Sequence, residues 1–363
     1  MATAKKKAAP PAAKAAKGAP KPALKGAKPV KAGKGGKPGE TAKPKSQKWA
    51  MIIALLIGAG LVVQGAVGYI SNKKKDVTVF FESQIAVRGE GKGEVVGCRT
   101  LAVDDKGDVA YCYGVGEGSV LQVFSSDGKK YTRYEAKKKD EAINNIFSLA
   151  YAPDGSLWAC ERGSGRIVHF SADLKFLGSF KAPSTDLPGI AVDPNGLIWV
   201  ASYGPKIYVF NAAGDMQKEF SGTPKAPIVT AYRLTFDAQG NLVLLDSGRG
   251  QGKDPDVKIY SPEGKSLAVF MAKGLPFNEF SCIGVDQGLV VLNDNGSTGS
   301  DSQGTLLFDY KGKVKARALT TSNQLSLRNV PGLAIGAKGH WAMDMTPLGR
   351  GCDRFSLPVD NEK

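Results

Sequence analysis

The chain has 363 residues, is 42% hydrophobic, which is enough to bury a large core, and carries a formal net charge of +15. That charge is uneven: residues 1–48 hold 14 Lys, no Arg and one acid, Glu40, so about +13 sits there and about +2 in residues 49–363. A nearly neutral body argues against nucleic acid as its partner, two histidines exclude a His-rich zinc site, and five scattered cysteines without a C-x-x-C exclude a disulfide scaffold.

Residues 1–48 mix Lys with Ala, Pro and Gly and have almost no apolar bulk to bury, so they read as a disordered, solvated tail. Residues 49–70, "WAMIIALLIGAGLVVQGAVGYI", contain no charge. At about 1.5 Å per residue they extend roughly 33 Å as a helix, enough to cross a bilayer, with Trp49 and Tyr69 at interfacial positions. The leader is too long for a signal-peptide n-region and no clean A-x-A follows, so the span reads as an uncleaved anchor. Fourteen Lys before it, against Lys73, Lys74 and Lys75 after it, keep the N-terminus cytoplasmic and the body extracytoplasmic, periplasmic in a bacterium. The tail would then meet anionic lipid or a cytoplasmic partner. A linker, 71–76, leads to the body, 77–363.

The body repeats. Gly107, Gly155, Gly196, Gly240, Gly288 and Gly339 are 48, 41, 44, 48 and 51 residues apart. Each ends a first apolar run and opens a second, as in "LAYAPDGSLWACER" and "IAVDPNGLIWVASY". In most copies a third run follows, as in "RIVHFSADLK" and "KIYVFNAAGD", and then a more polar fourth such as "KFLGSF". Four antiparallel strands per roughly 45 residues is the pattern of a propeller blade. Six copies predict an all-β, six-bladed β-propeller. The sixth copy lacks a fourth strand, and "DVTVFFES" (76–83) is expected to supply it, closing the ring and removing open edges. Closure brings Cys98 near Cys352; two free thiols are expected there rather than a bridge.

"GSLWACERGSGRIVHF" (155–170), "GLIWVASYGPKIYVF" and "GNLVLLDSGRG…DVKIY" carry a turn Gly, a strand, a Gly/Ser loop and a closing aromatic. On these residues the body resembles the NHL-repeat family of six-bladed propellers. The resemblance implies a fold and no single function, because such folds host enzymes, binders and scaffolds.

Long connections after the second strand ("DSGRGQGKDPD", "NDNGSTGSDSQG", "DMTPLGRGCDR") place binding on the face that carries them, weighted to the last three blades. Arg99, Phe147, Pro188, Tyr232, Ser281 and Pro331 align at the start of the inner strands, with Arg233 in the next column. Arg99, Tyr232 and Arg233, with Arg162, Arg249 and Arg350 in loops, are candidate contacts for an acidic protein, peptide or polymer. Solvated surface arginines are the competing reading. No cofactor is expected under this reading. The alternative is a gluconolactonase-type hydrolase with Ca²⁺ held by oxygens of Glu161, Asp246, Asn293, Asp294 and Asp344. For acids at the end of a second strand, the simpler role is to pin the adjoining loop.

Overall fold

Aspartate and glycine build the recurring turn. Asp104 Oδ1 accepts hydrogen bonds from the amides of Lys106 and Asp108, and Asp193 and Asp237 do the same two and four residues downstream. The glycine that follows has a positive φ in every copy, from 74° at Gly288 to 84° at Gly107, a conformation costly for residues with a Cβ. This is why the sequence period is marked by Gly rather than by any apolar residue.

The structure, a computed structural model, describes residues 75–114, 118–248, 255–271, 280–294, 304–320, 332–336, 338–345 and 349–358. The Lys-rich stretch 1–48 and the apolar span 49–70 lie outside these. Among the described residues no helix is long and apolar enough to cross a membrane.

The fold is an all-β propeller. Strand β1 (Lys75–Arg88) is followed by the short β2 (Glu94–Val95). The first four-stranded meander comprises β3 (Cys98–Val103), β4 (Val109–Tyr113), β5 (Val120–Phe124) and β6 (Tyr131–Arg133). The second holds β7 (Ile146–Tyr151), β8 (Leu157–Glu161), β9 (Arg166–Phe170) and β10 (Phe176–Lys181). The third holds β11 (Gly189–Val192), β12 (Ile198–Ala201), β13 (Ile207–Phe210) and β14 (Met216–Phe220). A small hairpin, β15 (Gly222–Thr223) and β16 (Ala226–Pro227), precedes the fourth meander of β17 (Ala231–Phe236), β18 (Leu242–Asp246), β19 (Asp256–Tyr260) and β20 (Ser266–Met271).

The remaining strands share one nine-stranded sheet. It contains β21 (Phe280–Asp286), β22 (Leu289–Asp294), β23 (Thr305–Phe308) and β24 (Val314–Thr320), and then β25 (Leu333–Ile335), β26 (His340–Asp344) and β27 (Cys352–Ser356). The two runs are joined through β1. Its first five residues pair parallel with β24, Lys75 opposite Ala316, while Phe80 to Ala86 pair antiparallel with β27. The N-terminal strand therefore supplies the missing fourth strand of the last run, as expected. It also covers the outer edge of the preceding run, which the sequence reading did not anticipate.

Strands β3, β7, β11, β17, β21 and β25 each end their sheet and lie beside one another in succession, with β25 beside β3. Second strands such as "VAYCY", "LWACE" and "LVLLD" are buried on both faces because a neighbouring sheet covers each one. The outer strand β10 alternates half-buried and exposed residues, as expected with solvent on one side. Apolar clusters fill the spaces between neighbouring sheets: Leu157, Val168 and Phe170 pack with Leu121 of the first meander, and Cys352 and Ala342 pack with Leu101 and Tyr111. Phe170 and Tyr111 are fully buried, and truncating a residue of this kind to Ala costs about 3–5 kcal/mol. Cys98, Cys112, Cys160 and Cys352 all carry free thiols.

Candidate functional site

The inner strands start irregularly. Register slips between Cys98 and Thr100 in β3, between Ile146 and Ser148 in β7, and between Ala231 and Arg233 in β17. Arg99, Phe147 and Tyr232 are therefore the extra residues of three of four equivalent β-bulges, the fourth lying between Phe280 and Cys282 in β21. A bulged residue leaves the ladder and its side chain is re-aimed. The three belong to the aligned column read from the sequence, and they converge.

Phe147 is the centre of the convergence. The guanidinium carbons of Arg99, Arg162 and Arg233 lie 4.8, 4.8 and 4.9 Å from its ring centroid. Arg233 also lies 5.1 Å from the Tyr232 ring and Arg162 5.8 Å from Tyr203, and the two tyrosines meet edge-on at 6.4 Å. All six residues are partly exposed. Cation–π contacts of this kind contribute about 0.5–1 kcal/mol each at exposed sites. They hold three like charges close together, and that crowding is what an anion would relieve.

The three guanidiniums are partnered differently. Arg162 pairs side-on with Asp186, Nε to Oδ1 at 2.6 Å and Nη2 to Oδ2 at 3.4 Å. Arg233 Nη1 donates to the carbonyls of Phe147 at 3.1 Å and Pro188 at 2.7 Å, tying the fourth meander to the second and to the start of the third. Arg99 donates to no acceptor among the described residues, and its Nε is buried. Burial, then the neighbouring Arg162 and Arg233, lower its pKa from the usual arginine value. An arginine remains a cation at neutral pH even so.

Arg99 and Arg233 also line a cavity of about 1420 Å³ inside the ring. Among the described residues its lining runs along the inner strands from Arg99 and Arg233 to the turns at Lys106, Gly155, Gln239 and Lys338.

The other candidates are dispersed. Arg249 lies outside the described residues. Arg350 stands apart from Phe147: its Nε is 2.8 Å from Asp353 Oδ2 and its guanidinium lies 5.1 Å from the Phe81 ring. Glu161 accepts from the Asn144 amide, Ser164 Oγ and Arg166 Nη1. Asp246 accepts from the amides of Val229 and Thr230, both at 2.7 Å, and from Lys258 Nζ at 2.5 Å. Asp344 Oδ2 accepts from the Cys98 amide, and Asn293 Nδ2 donates to Thr305 Oγ1. The side chain of Asp294 is outside the described residues. Each of these four described groups fastens a loop or a neighbouring strand. Among the described residues no three His, Cys, Asp or Glu side chains are grouped to hold a metal ion.

Sequence reasoning missed Phe147 as the hub, along with Tyr203 and Asp186. Phe147 had a legible signal, since it aligns with Arg99 and Tyr232. Asp186 had none, because it comes from a connection between sheets and outside the repeat.

No family model matches this chain, and no curated protein matches it. Among solved structures the chain is similar to a streptogramin B lyase, at 14% identity over 77% of this chain and 97% of that one, with a TM-score of 0.47. It is also similar to a catalytically inactive virginiamycin B lyase from Staphylococcus aureus with quinupristin, at 15% identity over 72% of this chain and 95% of that one, with a TM-score of 0.48.

Proposed function

We propose that the chain is a membrane-anchored, extracytoplasmic recognition module of six NHL-like blades. The nine-stranded sheet counts as two blades joined by β1; the supporting observation is that six inner strands neighbour one another in an unbroken succession. The apolar span 49–70 is the anchor and the Lys-rich leader its cytoplasmic arm, on the sequence argument above.

The face that carries Phe147 binds an acidic group of a protein, peptide or polymer partner. The observation that carries this reading is the gathering of Arg99, Arg162 and Arg233 on one aromatic ring, with Arg99 lacking an acceptor among the described residues. Guanidinium groups suit this task because they stay charged and offer a planar fork to carboxylates. A hydrolytic role has less support, since Glu161, Asp246 and Asp344 already accept hydrogen bonds from the protein.

The reading is tested on residues 71–363, which lack the lysine tail, with poly-L-glutamate as the probe. Binding should weaken at least tenfold in Arg162→Gln and in Arg99→Gln, and should fall steeply between 50 and 300 mM salt, chosen to span about 14 to 6 Å of Debye screening. Equal binding by both variants and the parent protein would reject the site.

A further inference from the structure

We propose that the pocket between the second and third meanders binds an uncharged acetamido group, as carried by an N-acetylated sugar. The pocket shares no residue with the Phe147 cluster, and the inference does not rest on the acidic-ligand reading.

Four observations carry it. First, an indole donor lacks the acceptor that its equivalents have. Trp199 and Trp341 occupy the same place on their second strands, and each donates to a buried turn aspartate: Trp199 Nε1 to Asp193 Oδ2 at 3.0 Å, Trp341 Nε1 to Asp286 Oδ2 at 2.7 Å. Trp158 is the third tryptophan of this column. In its meander the place of Asp193, three residues before the turn glycine, is taken by Ala152. Asp104 of the preceding meander accepts from its own turn amides instead. Trp158 Nε1 therefore donates to no acceptor among the described residues, although the side chain is only 2% exposed. A buried tryptophan normally finds a partner for this N–H.

Second, Ala152 and Trp158 both line a pocket of about 420 Å³. Small-molecule sites typically measure roughly 300–1,000 Å³. The far wall comes from the turn of the third meander, Pro194 to Leu197.

Third, the aromatic wall is fixed and uncharged. His169 stands opposite Trp158 on β9, where other sheets have Val123, Val209 and Phe355. Its ring stacks on the indole at 3.8 Å with an interplanar angle of 6°. Burial lowers its pKa, which keeps the ring neutral at pH 7, and its buried Nε2 has no hydrogen-bond partner among the described residues.

Fourth, the rim selects against anions. Asp154 is the charged side chain of the lining. Ser156 donates to its Oδ1 through Oγ at 2.7 Å and the amide at 2.9 Å, and these bonds lower its pKa and hold it ionised. An acetamido group complements this set: its carbonyl accepts from Trp158 Nε1 and its N–H donates to the Asp154 carboxylate. Its methyl group meets Pro153, Pro194 and Leu197, and Asn195 offers a donor and an acceptor to a ring hydroxyl.

The test measures retention of the full chain, in a detergent without a sugar headgroup, on beads carrying N-acetylglucosamine or glucose. Retention should be about tenfold higher on N-acetylglucosamine, the size of one well-made hydrogen bond. Ala152→Asp, which restores the acceptor that Asp193 supplies in the third meander, should abolish the difference. Trp158→Phe, which keeps a ring and removes the N–H, should do the same. Melting points within a few degrees of the parent protein establish that both variants fold, and poly-L-glutamate binding should be unchanged in Ala152→Asp. Elution by free N-acetylglucosamine but not by free acetamide supports the site with a sugar as its source; equal elution by both supports it with any amide as the source. Equal retention on the two kinds of bead, or a difference that survives Ala152→Asp, overturns the inference.

Discussion

The carboxylate of Asp344 accepts a hydrogen bond from the backbone amide of Cys98 at 2.9 Å, across 246 residues of sequence. It fastens the end of β26 to the start of β3, where the last inner strand meets the first. The bond lies one residue from Arg99, so ring closure and the position of the bulged guanidinium share one support. Asp344→Ala leaves a partly buried amide unpaired and should destabilise the protein by about 1–3 kcal/mol. It should also weaken poly-L-glutamate binding more than Asp344→Asn, whose side-chain oxygen can still accept. Denaturant titration of the two variants beside the binding assay checks this, and equal stability of Asp344→Ala and the parent protein would contradict it.

Lys258 and Asp246 form a buried ion pair, 4% and 1% exposed, with Lys258 also donating to the Pro227 carbonyl at 2.7 Å. Removing one partner strands the other charge away from water. Lys258→Met should cost about 3 kcal/mol or more, while Lys258→Met with Asp246→Leu should recover part of that loss. Thermal or urea unfolding of the single and double variants decides the point; a double variant worse than the sum of the singles argues against it.

Asp353 is fully buried on β27, and burial raises its pKa to about 6 despite the nearby Arg350. Unfolded, an aspartate titrates near 3.9. The folded state therefore holds this proton more tightly, and its contribution to stability falls as pH rises from about 4 to about 6. Relative to Asp353→Asn, the parent protein should gain on the order of 2–3 kcal/mol as the pH drops through that window, and stay constant above about 7. Unfolding free energies of both proteins from pH 4 to 8 test the sign. A flat difference would mean that Asp353 is not strained by its burial.

Calcium should leave the melting point of residues 71–363 unchanged, because oxygens of Glu161, Asp246 and Asp344 are engaged by protein donors. Binding to the native state alone would raise it by mass action. A rise of several degrees, reversed by EDTA, would restore the metal-dependent reading.

The repeat was legible in the sequence because each of its signals is local. An Asx turn needs one Asp and one Gly at a fixed offset, and a strand buried on both faces needs an unbroken apolar run. Even the re-aimed residues could be found by alignment, since Arg99, Phe147 and Tyr232 occupy the same place in their copies. The role of glutamate or aspartate at the end of β8 and β18, pinning a loop, was likewise foreseeable from position alone.

What the tertiary structure decided depends on distance along the chain. Only the closed ring brings Arg99 of the first meander, Arg162 and Phe147 of the second and Arg233 of the fourth to one point, and only it shows that Asp186 neutralises one cation while leaving Arg99 without an acceptor among the described residues. The second pairing of β1, with β24, was equally hidden, because which edges lie open to a strand follows from how the sheets end and not from the strand's own residues. Local propensities determine the blade; the site arises from side chains that different blades bring to the same axis.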